Sequence, residues 1–149
     1  MIKVLFLCHG NICRSPMAEY IFKDILKKRN LENEFYCESA ACSREEIGHD
    51  IYPQAKQKLV EKNIYFDRRK ARQVTKDDIK NFDYIVVMDR ENIDFLKYIG
   101  LYDNYKITRL LSYTDYDRDI SDPWYTGNFE TTYNDIVEGI DGFLSYFGY

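Results

Sequence analysis

The first sixteen residues constrain this chain more than any other stretch. Ile2-Lys3-Val4-Leu5-Phe6-Leu7 is a short apolar run, Cys8-His9-Gly10-Asn11-Ile12-Cys13-Arg14-Ser15 follows without a period, and Pro16 leads into Met17, Tyr20, Ile21 and Ile25 at helical spacing. The apolar run has the length of a buried strand. Ser15 reads as the N-cap of the helix, with Pro16 at its first helical position. Strand, tight loop and helix in that order open a βαβ unit, and such units build parallel sheets.

The rest of the chain keeps the alternation. Phe35 to Ala40 reads as a second strand, and Pro53 opens a helix with Ala55, Leu59 and Val60 on one face and Asn63 at its close. Thr75 and Asp78 have the spacing of a capping box ahead of a short helix. Tyr84 to Met88 is a buried strand, and Asp89 caps a helix carrying Asn92, Phe95, Leu96 and Ile99 up to Gly100. A short fourth strand lies near Tyr105 to Leu110, Ser112 to Asn128 reads as a long loop, and a last helix carries Ile136, Ile140, Phe143 and Phe147 despite Gly139 and Gly142. The expectation is a single α/β domain over residues 1–149, in three layers, with helices on both faces of a parallel sheet.

Composition narrows the function classes. A chain of 149 residues with 45% hydrophobic content builds one core rather than two. Its net charge of −4 argues against nucleic acid as a partner, so any anion site must be local. No run approaches the roughly 20 apolar residues of a membrane span, and Ile2 to Leu7 is too short for a signal-peptide core, so membrane insertion is not expected and a cytoplasmic location is. Cys8, Cys13, Cys37 and Cys42 then read as free thiols. Neither a metal site nor a cofactor is expected, because His, Cys and carboxylates do not cluster at ligand spacing.

In open α/β sheets ligands bind beyond the carboxyl ends of the strands, which is where Cys8 to Ser15 falls. The N-terminus of the following helix offers unpaired N–H groups and a positive field, an anion cradle. Gly10 permits close backbone approach, and Asn11 tolerates a left-handed conformation. The field that holds an anion also favours a thiolate at Cys8. Arg14 supplies a planar fork for two phosphoryl oxygens, and Ser15 a hydroxyl for the sulfur. Farther along, Asp122-Pro123-Trp124-Tyr125 combines a carboxylate, a stiffened backbone and two aromatic rings. On its residues alone an Asp-Pro pair in an acidic loop is more often a plain turn.

The run Cys8-His9-Gly10-Asn11-Ile12-Cys13-Arg14-Ser15-Pro16 resembles the signature of the low-molecular-weight protein tyrosine phosphatases, Cys-x-Gly-Asn-Ile-Cys-Arg-Ser-Pro, at the family's N-terminal location. The resemblance implies a four-stranded sheet in the order 2-1-3-4 and hydrolysis of phosphotyrosine through a cysteinyl-phosphate. It implies Cys8 as nucleophile, Arg14 as phosphate clamp and Asp122 as general acid, then base. His9, Gly10, Asn11, Ile12, Cys13 and Ser15 form the phosphate loop, Trp124 and Tyr125 the cleft wall, and Ser39 and Asp89 support the site, although helix capping accounts equally for Asp89. A reversible Cys8–Cys13 bond is implied as a regulatory state. Tyrosine-phosphorylated proteins are the implied substrates and inorganic phosphate the product. Relatives in bacteria oppose tyrosine kinases or are secreted as effectors, so a kinase partner and secretion without a signal peptide stay open. A monomer or weak dimer is expected.

Three positions depart from the family pattern: Arg69 replaces a histidine, Glu45 or a neighbour stands where many relatives have a tryptophan, and His9 follows the nucleophile. The basic run Arg68, Arg69, Lys70 and Arg72 reads as a solvated face. Arsenate reductases share the loop but need further cysteines, and none follows Cys42. Protein arginine phosphatases carry threonine where Ile12 stands, and a silent anion-binding module has no use for Cys8, Arg14 and Asp122 together.

Overall fold

In the computed structural model, which describes residues Met1–Tyr149, strands β1 (Ile2–Cys8), β2 (Phe35–Ala41), β3 (Tyr84–Val87) and β4 (Ile107–Arg109) pair in parallel in the order β2-β1-β3-β4. The expected α/β architecture and strand order are those observed. Helices α1 (Arg14–Lys28), α2 (Pro53–Glu61) and α6 (Phe129–Tyr146) pack on one another over one face, while α3 (Lys76–Asn81) and α4 (Arg90–Tyr98) lie over the other.

Central strand β1 divides its side chains between the two faces. Val4, Phe6 and Cys8 join the core under α1 and α6, and Leu5 and Leu7 join a smaller core with Ile85, Val87 and Leu96. Strand alternation explains both cores from one apolar run. The chain leaves β1 toward β2 on one side and returns to β3 on the other, so the loop after β1 sits where the strand order reverses.

The capping box of Thr75 with Asp78 forms as expected, and Asp89 caps its helix as expected, there too through a reciprocal box, with Asn92, that the sequence reading does not include. Three details differ from the sequence reading. Ser15 is not a cap: the N-cap of α1 is Cys13, with no side-chain cap bond, because the Ser15 hydroxyl is turned toward Cys8 and Asn11. Val60 is 63% exposed while Ala55 and Leu59 are buried, since a residue five positions after Ala55 points to the opposite side of the helix. The aperiodic stretch from Ser112 to Asn128 overlaps a 3-10 turn (Leu110–Tyr113) and contains a one-turn helix α5 (Pro123–Thr126), both too short to show an apolar period.

Gly139 and Gly142 leave α6 intact because the 3-10 turn lies against them. A Cβ on Gly139 would fall 2.4 Å from Leu110 Cγ, and one on Gly142 would fall 2.4 Å from the Tyr113 carbonyl oxygen. In an open helix Ala would gain about 1 kcal/mol over Gly, but overpacking against a backbone oxygen costs about 1–3 kcal/mol. For a net loss of about 1 kcal/mol, Gly142→Ala is expected to lower Tm by about 2–4 °C in thermal denaturation, and a raised midpoint would contradict this packing.

Candidate active site

The loop from Cys8 to Cys13 is held from outside by its carbonyl groups. Cys8 O accepts from Cys42 N at 2.9 Å, His9 O from Ser43 N at 3.0 Å and Ser43 Oγ at 2.9 Å, and Ile12 O from Tyr52 N at 2.8 Å. The Arg69 guanidinium donates to Asn11 O, and also to His49 O at 3.2 Å. With the carbonyls turned outward, the N–H groups turn inward. Asn11 N and Ser15 N donate to Cys8 Sγ at 3.3 and 3.4 Å, while the N–H groups of Gly10, Ile12, Cys13 and Arg14 have no acceptor in the protein. The result is a ring of directed donors around a sulfur atom.

Side chains fix this loop from behind. Asn11 is 1% exposed, with φ at 59°, the left-handed conformation expected of it. Its Nδ2 donates to Ser15 Oγ at 2.8 Å and to Ser39 Oγ at 3.0 Å, and Ser39 donates in turn to Glu19 Oε1 at 2.7 Å. The Cys8 thiol donates to Ser15 Oγ at 3.1 Å, and once the sulfur is ionised the hydroxyl is the donor. At Gly10, whose φ is not positive, a Cβ would press Glu46 Cγ at 3.1 Å.

Arg14, 2% exposed, is anchored along one edge. Its Nη1 donates to Asp89 Oδ2 at 2.6 Å and to Ile120 O at 2.8 Å, while Nη2 lies 3.4 Å from Asp122 Oδ2. Burial works against its charge, but Cys8, Asp89 and Asp122 more than offset that and raise its pKa above the ordinary value. The other oxygen of Asp89 accepts from Asn92 N at 2.8 Å, so capping and support of Arg14 are not alternatives. Asp122 divides its oxygens in the same way, Oδ1 accepting from Trp124 N at 3.1 Å as the cap of α5. The segment leading to Asp122 is pinned by the fork of Arg118 on Asp135 at 2.9 and 3.0 Å and by Arg109 and Arg90 N on Asp119 at 3.0 Å each.

These groups surround one cavity of about 140 Å³, lined by Cys8, Ile12, Arg14, Asp122 and Trp124, with His9 and Tyr125 at its rim. Asn11, Ser15, Ser39 and Asp89 lie behind the lining. His9 pairs with Glu45 at 3.0 Å and sets its ring edge-on to Phe95. Trp124 rests on Tyr52 at 4.9 Å between centroids, and Tyr52 stacks on Phe129. Tyr52, Glu46 and Glu19 went unread in the sequence, and none carries a local signal. Arg69 and Arg72 belong to the site's frame rather than to a solvated face: both are half-buried, and Arg72 N approaches Asn11 Oδ1 at 3.4 Å while its guanidinium bridges Asp78 and Glu38. All four cysteines are free and buried, and burial raises the pKa of Cys13, Cys37 and Cys42, keeping those thiols protonated. No group of three or more His, Cys, Asp or Glu is placed to hold a metal ion.

A cysteine and a buried arginine sharing one anion cradle at the switch point of a parallel sheet define a class, the cysteine-dependent phosphatases. The family model for low molecular weight phosphotyrosine protein phosphatases matches residues 3–147, and the chain belongs to that family. It is 44% identical over 148 residues to the low molecular weight protein-tyrosine-phosphatase YfkJ of Bacillus subtilis, covering 97% of this chain and 95% of that protein. The crystal structure of YfkJ superposes with a TM-score of 0.92 over 98% of this chain and 94% of that one, at 42% identity. PtpA of Staphylococcus aureus, also a low molecular weight protein-tyrosine-phosphatase, is 35% identical over 98% of this chain and 94% of its own length. A Drosophila arginine phosphatase is similar as well, with a TM-score of 0.87 and 34% identity over 98% of each chain. The chain is thus a protein tyrosine phosphatase of the low-molecular-weight family, and no helix in it is long and apolar enough to cross a membrane.

Proposed function

We propose that Cys8, Arg14 and Asp122 hydrolyse phosphotyrosine in proteins through a cysteinyl-phosphate. The observation that carries this reading is the set of unpartnered N–H groups at Gly10, Ile12, Cys13 and Arg14, which together with Arg14 Nη2 surround the space above Cys8 Sγ. A phosphoryl group placed there meets a donor along each oxygen and a nucleophile at phosphorus. Its oxygens take the free edge of Arg14, replacing the contact with Asp122.

In the first step Cys8 thiolate attacks phosphorus, an S–P bond forms, and the bond to the phenolic oxygen breaks. The leaving tyrosine has a pKa near 10, so Asp122 as the carboxylic acid protonates it on departure. In the second step the Asp122 carboxylate takes a proton from water, the water oxygen attacks phosphorus, and the S–P bond breaks to give inorganic phosphate. Ser15 O–H with the N–H groups of Asn11 and Ser15 stabilises the departing thiolate. No cofactor enters either step.

The likeness to an arginine phosphatase makes leaving-group choice the decisive test. Ile12 puts an aliphatic side chain on the cavity wall, beside the aromatic Trp124, which suits a phenyl ring better than a guanidinium. With otherwise matched peptides, phosphotyrosine is expected to exceed phosphoserine and phosphoarginine in kcat/KM by at least about tenfold. A preference for phosphoarginine would overturn the assignment.

A further inference from the structure

Beyond Glu45 a second depression, of about 710 Å³, adjoins the catalytic cavity between the loop that follows β2 and the C-terminal end of α4. Half-buried Phe95, Ile99 and Leu101 give it an apolar floor. Arg44 and Lys76 stand along it, both exposed and neither in an ion pair, with Arg44 Nε held by Gln73 Oε1 at 3.2 Å. The groove therefore sets two unpaired cations beside an apolar surface on a chain whose net charge is −4. The two depressions share Glu45, and Phe95 also carries the ring of His9 at the catalytic rim, 5.6 Å between centroids. Glu45 is engaged by His9 at 3.0 Å, and its N–H by Ser43 Oγ at 3.3 Å, so it forms the ridge between them and leaves Arg44 and Lys76 unneutralised.

We propose that this groove binds the polypeptide flanking the phosphotyrosine of the substrate and selects an apolar side chain together with an acidic one. The proposal rests on the phosphotyrosine reading of the Cys8 site. The cavity over Cys8 receives the phosphorylated side chain, so the polypeptide on either side of that residue must run over the surface around its mouth. On the Glu45 side the surface it meets is this groove. An apolar side chain on Phe95 and Ile99 removes exposed apolar area from water, and a carboxylate near Arg44 and Lys76 finds the charge those cations lack.

The test compares phosphotyrosine peptides flanked by Leu and Asp, by Ala alone, or by Leu and Lys, placed in turn before and after the phosphotyrosine. Wild type is expected to favour the Leu-Asp flank over Ala by about tenfold in kcat/KM on one side of the phosphotyrosine, expressed in KM. Arg44→Glu and Lys76→Glu should each reduce that preference and together abolish it, with p-nitrophenyl phosphate hydrolysis, which has no flank, unchanged. Lys76 is the first residue of α3, where a negative charge suits the helix dipole, so its reversal does not threaten folding. Equal kcat/KM for all flanks, a preference for Lys, or a preference that survives both reversals would overturn the groove assignment. If wild type hydrolyses no phosphotyrosine substrate at all, the phosphatase reading itself has failed; if it hydrolyses all alike, only the groove has.

Discussion

Cys8→Ser is expected to lose turnover of phosphotyrosine by about 10⁴-fold or more while still binding phosphate. A serine hydroxyl at neutral pH is not ionised and is a poor nucleophile without a base, and no histidine stands beside residue 8 to supply one: His9 faces Glu45 at the rim. The cradle, in contrast, is built from backbone N–H groups and Arg14, all anchored by partners other than the sulfur. Removing the sulfur therefore removes the chemistry and spares the anion site. Calorimetric titration with phosphate should show binding to the variant, and p-nitrophenyl phosphate hydrolysis should be near background. Cys13→Ser is the informative companion, since the Cys13 thiol is kept protonated by burial and turnover should survive its loss. Turnover that survives Cys8→Ser would move the nucleophile elsewhere.

Which parts of this site could be read from the sequence follows from how local their interactions are. Cys8 to Ser15 is contiguous, and the capping box of Thr75 with Asp78 and the cap at Asp89 each act within one turn, so spacing and residue type exposed them. Arg69 reaches Asn11 O across 58 positions and Tyr52 N reaches Ile12 O across 40. Nothing near Arg69 or Tyr52 in the chain announces those contacts. Ser15 misled because the residue type suits a cap, whereas tertiary structure offers its hydroxyl Cys8 and Asn11 instead. Asp89 and Asp122 show the opposite lesson. Each seemed to require a choice between a turn and the site, yet a carboxylate has two oxygens, and in both residues one serves the backbone while the other faces Arg14.

That division of labour makes Asp122→Asn the cleaner probe of proton donation. Asn keeps an oxygen that can accept from Trp124 N, so the start of α5 and the rings of Trp124 and Tyr125 stay in place, whereas Asp122→Ala also removes the cap, worth about 1 kcal/mol. Both variants lose the carboxyl proposed as the acid. Hydrolysis of phosphotyrosine, whose phenolate is a poor leaving group, is expected to fall by about 10²–10⁴-fold. Esters of more acidic phenols need little protonation and should lose far less in the first step, so the rate of cleavage should depend more steeply on leaving-group acidity in the variants than in wild type. Single-turnover measurements across a series of aryl phosphates read this directly. The carboxylates of Glu45 and Glu46 also border the cavity, but they are engaged by His9 and His49. If Asp122→Asn cleaved all leaving groups like wild type, one of those glutamates would have to deliver the proton, and the pinning of the Asp122 segment by Arg118 on Asp135 would need another explanation.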